Sequence, residues 1–165
     1  MELYLMRHGE AVLEAENPEP LSREGVAQIQ TAAAAMKRLG IALDVIVCSP
    51  KRRAHQTAAL VGEGVNYPYS DIMTTEAVNP TAPGEDAIDF LRQYRESRAV
   101  LIAGHLPSLE EIASLLLTGG RSRVNIHFDN GCLCRLDLPD LAAPAAELRY
   151  HLAPEQLRLL AGKAG

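Results

Sequence analysis

The sequence has no tryptophan, and aromatic residues make up only 4% of it. A core cannot then rest on large rings and must be built from Leu, Ile, Val, Met and Ala. Cysteine is scarce too, and the count of three in a chain of 165 residues excludes a disulfide framework. Cys48 sits in the apolar run Val45-Ile-Val-Cys48 and reads as a small core residue. Cys132 and Cys134, two positions apart, share one face of a predicted strand, and no second Cys/His pair at ligand spacing accompanies them. The cysteines are therefore read as structural and not as a metal site, and no cofactor is expected. No apolar run approaches the ~20 residues that span a bilayer. The first run stops at Arg7-His8, too early for a signal peptide. Positive charge is in deficit, with 16 Lys and Arg against 21 Asp and Glu and a net charge of −5, which disfavours nucleic acid as partner. The expectation is one domain over residues 1–165, soluble and cytoplasmic, contacting neither nucleic acid nor membrane, with a monomer as default. A local cationic pocket can still take an anion in such a protein.

Three short, non-alternating apolar runs stand out: Glu2-Leu-Tyr-Leu-Met6, Asp44-Val-Ile-Val-Cys48 and Ala99-Val-Leu-Ile-Ala103. This is the pattern of strands buried on both faces, as in a parallel sheet covered by helices. Between them lie helical patterns. One starts at Ser22 as N-cap, carries Val26, Ile29, Ala33 and Met36, and stops at Gly40. A second begins near Pro50 and runs to about Gly62, a third covers Glu85 to Arg95, and a fourth runs from Pro107 to Gly119. Cys132–Leu138 and Glu147–Leu152 alternate as further strands, with 140–146 between them, and Pro154 opens a last short helix. The predicted fold is a three-layer α/β sandwich with a mainly parallel central sheet flanked by helices. Segments 14–20, 77–84 and 119–130 are its expected rims.

Ligands in open α/β sheets bind beyond the carboxyl ends of the strands. The first run ends in Arg7-His8-Gly9, the second in Ser49 followed by Arg52 and Arg53, and the third in Gly104-His105. Two histidines and two arginines from three strand ends would meet at one place. The arginine fork suits phosphate oxygens, helix N-termini near Pro50 and Pro107 favour an anion, and histidine can carry a covalent phosphoryl group. Gly9 would let backbone approach a phosphate closely. Neighbouring arginines would keep His8 unprotonated, since like charge lowers an imidazole's pKa. Cysteine-dependent phosphatase chemistry is excluded, because the sixth position after Cys48 is Ala54, and no P-loop motif occurs.

The segments LMRHGEA, CSPKRRAHQTA and AGHLPSL, in that order, resemble the three signatures of the histidine phosphatase (phosphoglycerate mutase-like) superfamily. The short length and the segments PLSREG, PTAPGED and GHLP most resemble its SixA-type phosphohistidine phosphatase branch. The resemblance implies a phosphoglycerate mutase-like fold and a metal-independent phosphatase. It implies phosphorylation of His8, phosphate binding by Arg7 and Arg53, and a pocket completed by His105, with Gly9 and Leu106 at the substrate. It also selects Arg53 over Arg52 and leaves His55 pointing away. Many superfamily members use a glutamate acid from a longer insertion. None is visible here, and Glu76 is the nearest candidate. The substrate this implies is a phosphohistidine-containing protein such as a histidine phosphotransfer domain, since imidazole leaves more easily than an alkoxide. The competing readings are a phosphatase of small phosphoesters or nucleotides, and a non-catalytic phosphate- or phosphoprotein-binding module. His55, His127 and His151 read as structural, and Arg121 and Arg123 as a solvated loop.

Overall fold

A computed structural model describes residues 1–12, 19–139, 141 and 146–162. The predicted rim at 14–18 and most of the connection at 140–146 lie outside the described residues. Six strands form one sheet: β1 (Glu2–Arg7), β2 (Val45–Cys48), β3 (Met73–Thr74), β4 (Ala99–Gly104), β5 (Leu133–Asp137) and β6 (Glu147–Leu152). Their order is β3-β2-β4-β1-β5-β6. The pairs β3/β2, β2/β4 and β4/β1 are parallel, whereas β5 runs antiparallel to both β1 and β6. The sheet is thus mainly parallel, with β5 as the one reversed strand.

The helices are α1 (Arg23–Arg38), α2 (Arg52–Val65), α3 (Gly84–Leu91), α4 (Ser108–Thr118) and α5 (Pro154–Ala161). Side chains alternate along each strand, so the sheet feeds two cores. Leu3, Leu5, Val100 and Ile102 face the layer of α3 and α4, meeting Leu91, Leu109 and Ile112. Tyr4, Met6, Leu101 and Ala103 face the other layer, meeting Ile29 and Met36 of α1, Val61 of α2 and Leu157 of α5. Aliphatic side chains and alanines fill both layers, as the scarcity of rings requires. Cys132 and Cys134 both fall in the core on the α3 and α4 side, where burial pushes both thiols up to about 12. Among the described residues no helix is long and apolar enough to cross a membrane.

Helix α1 begins as read from the sequence. The Ser22 hydroxyl accepts from the Gly25 N–H at 2.9 Å, and Glu24 and Lys37-Arg38 complement the helix dipole at its two ends. Helix α2 departs from expectation at both ends, starting at Arg52 and continuing past Gly62 to Val65. Glycine there is no stop signal. A side chain at Gly64 would collide with the Ala33 methyl, so the glycine lets α2 press against α1. The expected third helix is α-helical only to Leu91, and a tighter turn over Arg92–Tyr94 completes it. The two-residue edge strand β3 was too short to leave a sequence signal.

Candidate active site

The parallel strands β1, β2 and β4 are neighbours, so their carboxyl ends open side by side. Arg7 pairs with Gly104 across β1/β4, and the His8 N–H continues that ladder to the Gly104 carbonyl at 3.0 Å. His8 and His105 therefore emerge together, with ring centroids 5.0 Å apart. From the end of β2, Ser49-Pro50-Lys51 turn into α2, whose first turn brings Arg53 Nε to His8 Nε2 at 3.2 Å. Arg52 is exposed. The sequence thus places His8, His105 and Arg53 together, with Arg7 on the adjoining position of β1. His55 lies edge-on against Tyr69 instead.

The hydrogen-bond pattern fixes the His8 tautomer. His8 Nδ1 lies 2.7 Å from the Gly9 carbonyl, which can only accept, so the proton is on Nδ1. Nε2 then carries a lone pair, toward which Arg53 donates. At the second ring, Ser49 Oγ meets His105 Nε2 at 2.6 Å and accepts from the Lys51 N–H at 3.2 Å. The other ring nitrogen, His105 Nδ1, is buried with no partner among the described residues. Arg7 Nη1 donates to the Phe128 carbonyl at 2.7 Å, while its Nε is buried and equally unpartnered. Buried polar nitrogens without partners are rare in folded proteins. Two of them belong to Arg7, next to His8 in the chain, and to His105, whose ring is its neighbour in space, and an oxyanion is a partner that such groups could take. The α2 N-terminus strengthens this, because its first turn holds two arginines and no acidic residue, the reverse of what a helix dipole favours.

Both imidazoles stay neutral. Burial is the largest cause lowering His8 to about 4, while the Gly9 carbonyl opposes the shift and Arg53 and Arg7 add to it. Burial likewise leads in lowering His105 to about 3, followed by His8, Arg53, Lys51 and Arg7. The expected cause, arginine charge, is real but second to desolvation.

Gly9 has a packing reason for being glycine. A side chain there would press on Ile29 and the Gly25 carbonyl of α1, and its N–H donates to Thr57 Oγ1 at 3.1 Å. It is glycine so that β1 can dock on α1, and its amide is already engaged. The Leu106 side chain packs against the core on the α4 side. Glu76 is exposed in the turn Glu76–Val78, where its carboxylate accepts from the Asn79 side chain. Arg121 pairs with Glu85 at 2.8 Å.

Three contributors were missed. Asn130 Nδ2 donates to the His8 carbonyl at 3.0 Å, and the Gly131 N–H donates to the Arg7 carbonyl at 3.0 Å. Asn130-Gly131 looks like an ordinary turn in sequence. Glu19 Oε2 meets Arg53 Nη1 at 2.9 Å, from a segment that carries no motif.

The family model of the histidine phosphatase superfamily (branch 1) matches residues 3–77, the stretch that contains both Arg7-His8 and Arg53. Over that stretch the chain matches the histidine phosphatase superfamily. Among curated superfamily members, phosphohistidine phosphatase SixA of Escherichia coli (strain K12) is 28% identical over 127 residues, covering 72% of this chain and 76% of that one. The solved structure of the protein histidine phosphatase SixA complexed with tungstate aligns with a TM-score of 0.86 at 23% identity, over 95% of this chain and 99% of that one. The alpha-ribazole phosphatase of Shigella flexneri aligns with a TM-score of 0.72 at 19% identity, over 93% and 97%. Those two likenesses are of fold. Together with the superfamily match, they fit the mainly parallel sheet and the strand-end site described above.

Proposed function

We propose that the protein is a phosphohistidine phosphatase that works through a phospho-His8 intermediate. The observation that carries this reading is the neutral His8 Nε2 to which Arg53 donates, with unpartnered buried nitrogens on the neighbouring Arg7 and His105. In the first step Nε2 attacks phosphorus. An Nε2–P bond forms, the donor's N–P bond breaks, and the departing imidazole takes a proton from water. Arg7 Nε, His105 Nδ1 and Arg53 donate to the phosphoryl oxygens, and this placed charge supplies the stabilisation that phosphoryl transfer needs. Arg53 Nε moves from His8 Nε2 to an oxygen as the lone pair is used. In the second step water attacks phosphorus, the Nε2–P bond breaks and inorganic phosphate leaves. The guanidinium charges make a metal unnecessary for either step.

The substrate class follows from the leaving group. An alkoxide needs a proton donor, and Glu76, the candidate named from sequence, is engaged by Asn79. Imidazole takes its proton from water and needs no placed side-chain acid. The similarity to SixA supports the same choice. The test is incubation with a histidine phosphotransfer domain carrying phosphohistidine, beside a panel of phosphoesters and nucleotides, with and without chelator. Phosphate release from the phosphoprotein, insensitive to chelator and well above any ester, is expected. Preferential ester hydrolysis, or binding without turnover, would support one of the two competing readings instead.

Asn130 serves as a positioning residue in this scheme, because it anchors the backbone that presents the His8 ring. Asn130→Ala is expected to lower kcat about tenfold, the worth of one buried hydrogen bond. KM and the melting temperature should stay close to the parent. Steady-state kinetics with thermal unfolding checks this, and an unchanged kcat would mean that the Gly9 carbonyl alone holds the ring.

A further inference from the structure

Arg53 serves two partners at once. Its Nε donates to His8 Nε2 and its Nη1 to Glu19 Oε2. The fold builds in the second contact. The Val12 N–H donates to the Pro20 carbonyl at 2.9 Å, Ala11 pairs antiparallel with Leu21, and the Leu21 N–H donates to Gln56 Oε1 at 2.8 Å. Gln56 lies on α2 one turn beyond Arg53, so Glu19 is held against the helix start that carries the arginine. The pair is mostly shielded, with side-chain exposures of 18% for Arg53 and 34% for Glu19, and an ion pair of that kind is less screened than one on the open surface.

A carboxylate on a guanidinium fork makes the contacts that phosphoryl oxygens would make. A phosphoryl group at His8 Nε2 needs the same arginine, and its negative charge opposes that of Glu19. We infer that Glu19 is a counter-ligand of Arg53 that determines how tightly the site holds a small tetrahedral oxyanion. With the site empty it occupies the arginine, and it weakens the site's hold on free inorganic phosphate, the reaction's product. A donor on a protein surface offsets this opposition with contacts outside the pocket, while a small free anion cannot. Glu19 thus favours release of product and discriminates against small phosphorylated compounds. This rests on the reading above that Arg53 receives the phosphoryl group.

Equilibrium titration tests it without any turnover. Inorganic phosphate, and separately tungstate, is titrated calorimetrically into the parent protein, Glu19→Gln and Glu19→Asp at low and high salt. Glu19→Gln is expected to bind phosphate about tenfold more tightly, the scale of one partly screened like-charge repulsion. That gain should shrink as salt rises, and Glu19→Asp should behave like the parent or lie between. In kinetics, product inhibition by phosphate should strengthen and KM for small esters should fall. Unchanged or weaker phosphate binding by Glu19→Gln would overturn the inference and leave Glu19 as a support for Arg53. If the Gln variant misfolds, Glu19→Asp and the salt dependence of the parent decide between the same two outcomes. A parent inactive on phosphohistidine, whose Gln variant nonetheless holds phosphate tenfold tighter, would sink the substrate assignment and leave Glu19's role standing.

Discussion

His8→Ala is expected to lower turnover of a phosphohistidine protein by about four orders of magnitude or more, the scale on which covalent enzymes respond to loss of the nucleophile. Nothing else in the site can replace it. The His105 Nε2 is occupied by the Ser49 hydroxyl. The buried cysteines Cys132 and Cys134 lie in the α4-side core with thiols pushed up to about 12. The variant should retain its fold, because the exchange removes a largely buried polar ring without touching β1. It should still bind phosphate, since Arg7, Arg53 and His105 remain. Rapid-quench trapping checks the assignment at its origin. The parent should accumulate an acid-labile, alkali-stable phosphate on the chain and the variant none. Burst labelling that persisted in His8→Ala would relocate the nucleophile.

Acid should unfold this protein sooner than its composition suggests. His8 and His105 are held neutral in the fold at about 4 and about 3, while in the unfolded chain both titrate near 6.5. Between those limits the unfolded state takes up protons that the native state refuses. The sign follows directly: stability is undiminished above roughly pH 6.5 and falls as pH drops below it, by up to about 1.4 kcal/mol per pH unit for each imidazole. At pH 5 the two together would remove on the order of 3–4 kcal/mol, a large share of the ~5–15 kcal/mol that a domain has. Urea unfolding of the parent and of His105→Gln at pH 7.5 and pH 5.0 measures this. The variant should lose about half of the pH dependence, and equal slopes in the two proteins would remove His105 as a cause. Activity has the opposite profile. The acid limb of kcat/KM should lie near pH 4 rather than 6.5, because the nucleophile stays deprotonated as long as the fold survives.

Strands β1, β2 and β4, and the charged and histidine residues just beyond them, were legible because each is written locally, whereas the two-residue β3 was not. Apolar runs of four to six residues mark buried parallel strands, and a charged or histidine residue just beyond such a run marks a site. What stayed hidden depends on tertiary partners. Gly9 and Gly64 look like freedom of backbone but are contacts with α1, a fact set by helices distant in sequence. Gly62 reads as a helix end, yet α2 runs through it. Asn130 lies 122 positions from His8, and only the reversal of β5 brings it there. Glu19 reaches Arg53 across a loop closed by Ala11 and Leu21. Spacing reveals the histidines and arginines that gather at the strand ends. It does not reveal the neutral groups that orient them, because an amide or a carbonyl leaves no chemical trace in the sequence.

The reversed fifth strand has a consequence for how the protein can be divided. A sheet of parallel strands alone would begin its last strand at the far rim, where no backbone from it could touch the nucleophile. Running β5 backwards makes residues 128–131 a clasp over the end of β1, so the last third of the chain is a working part of a centre whose named chemistry lies in the first two-thirds. A fragment ending shortly after α4 would keep Arg7, His8, Arg53 and His105 and lose the peptide groups of Phe128 and Gly131 that steady Arg7. Such a piece would hold the ingredients of the centre without its alignment.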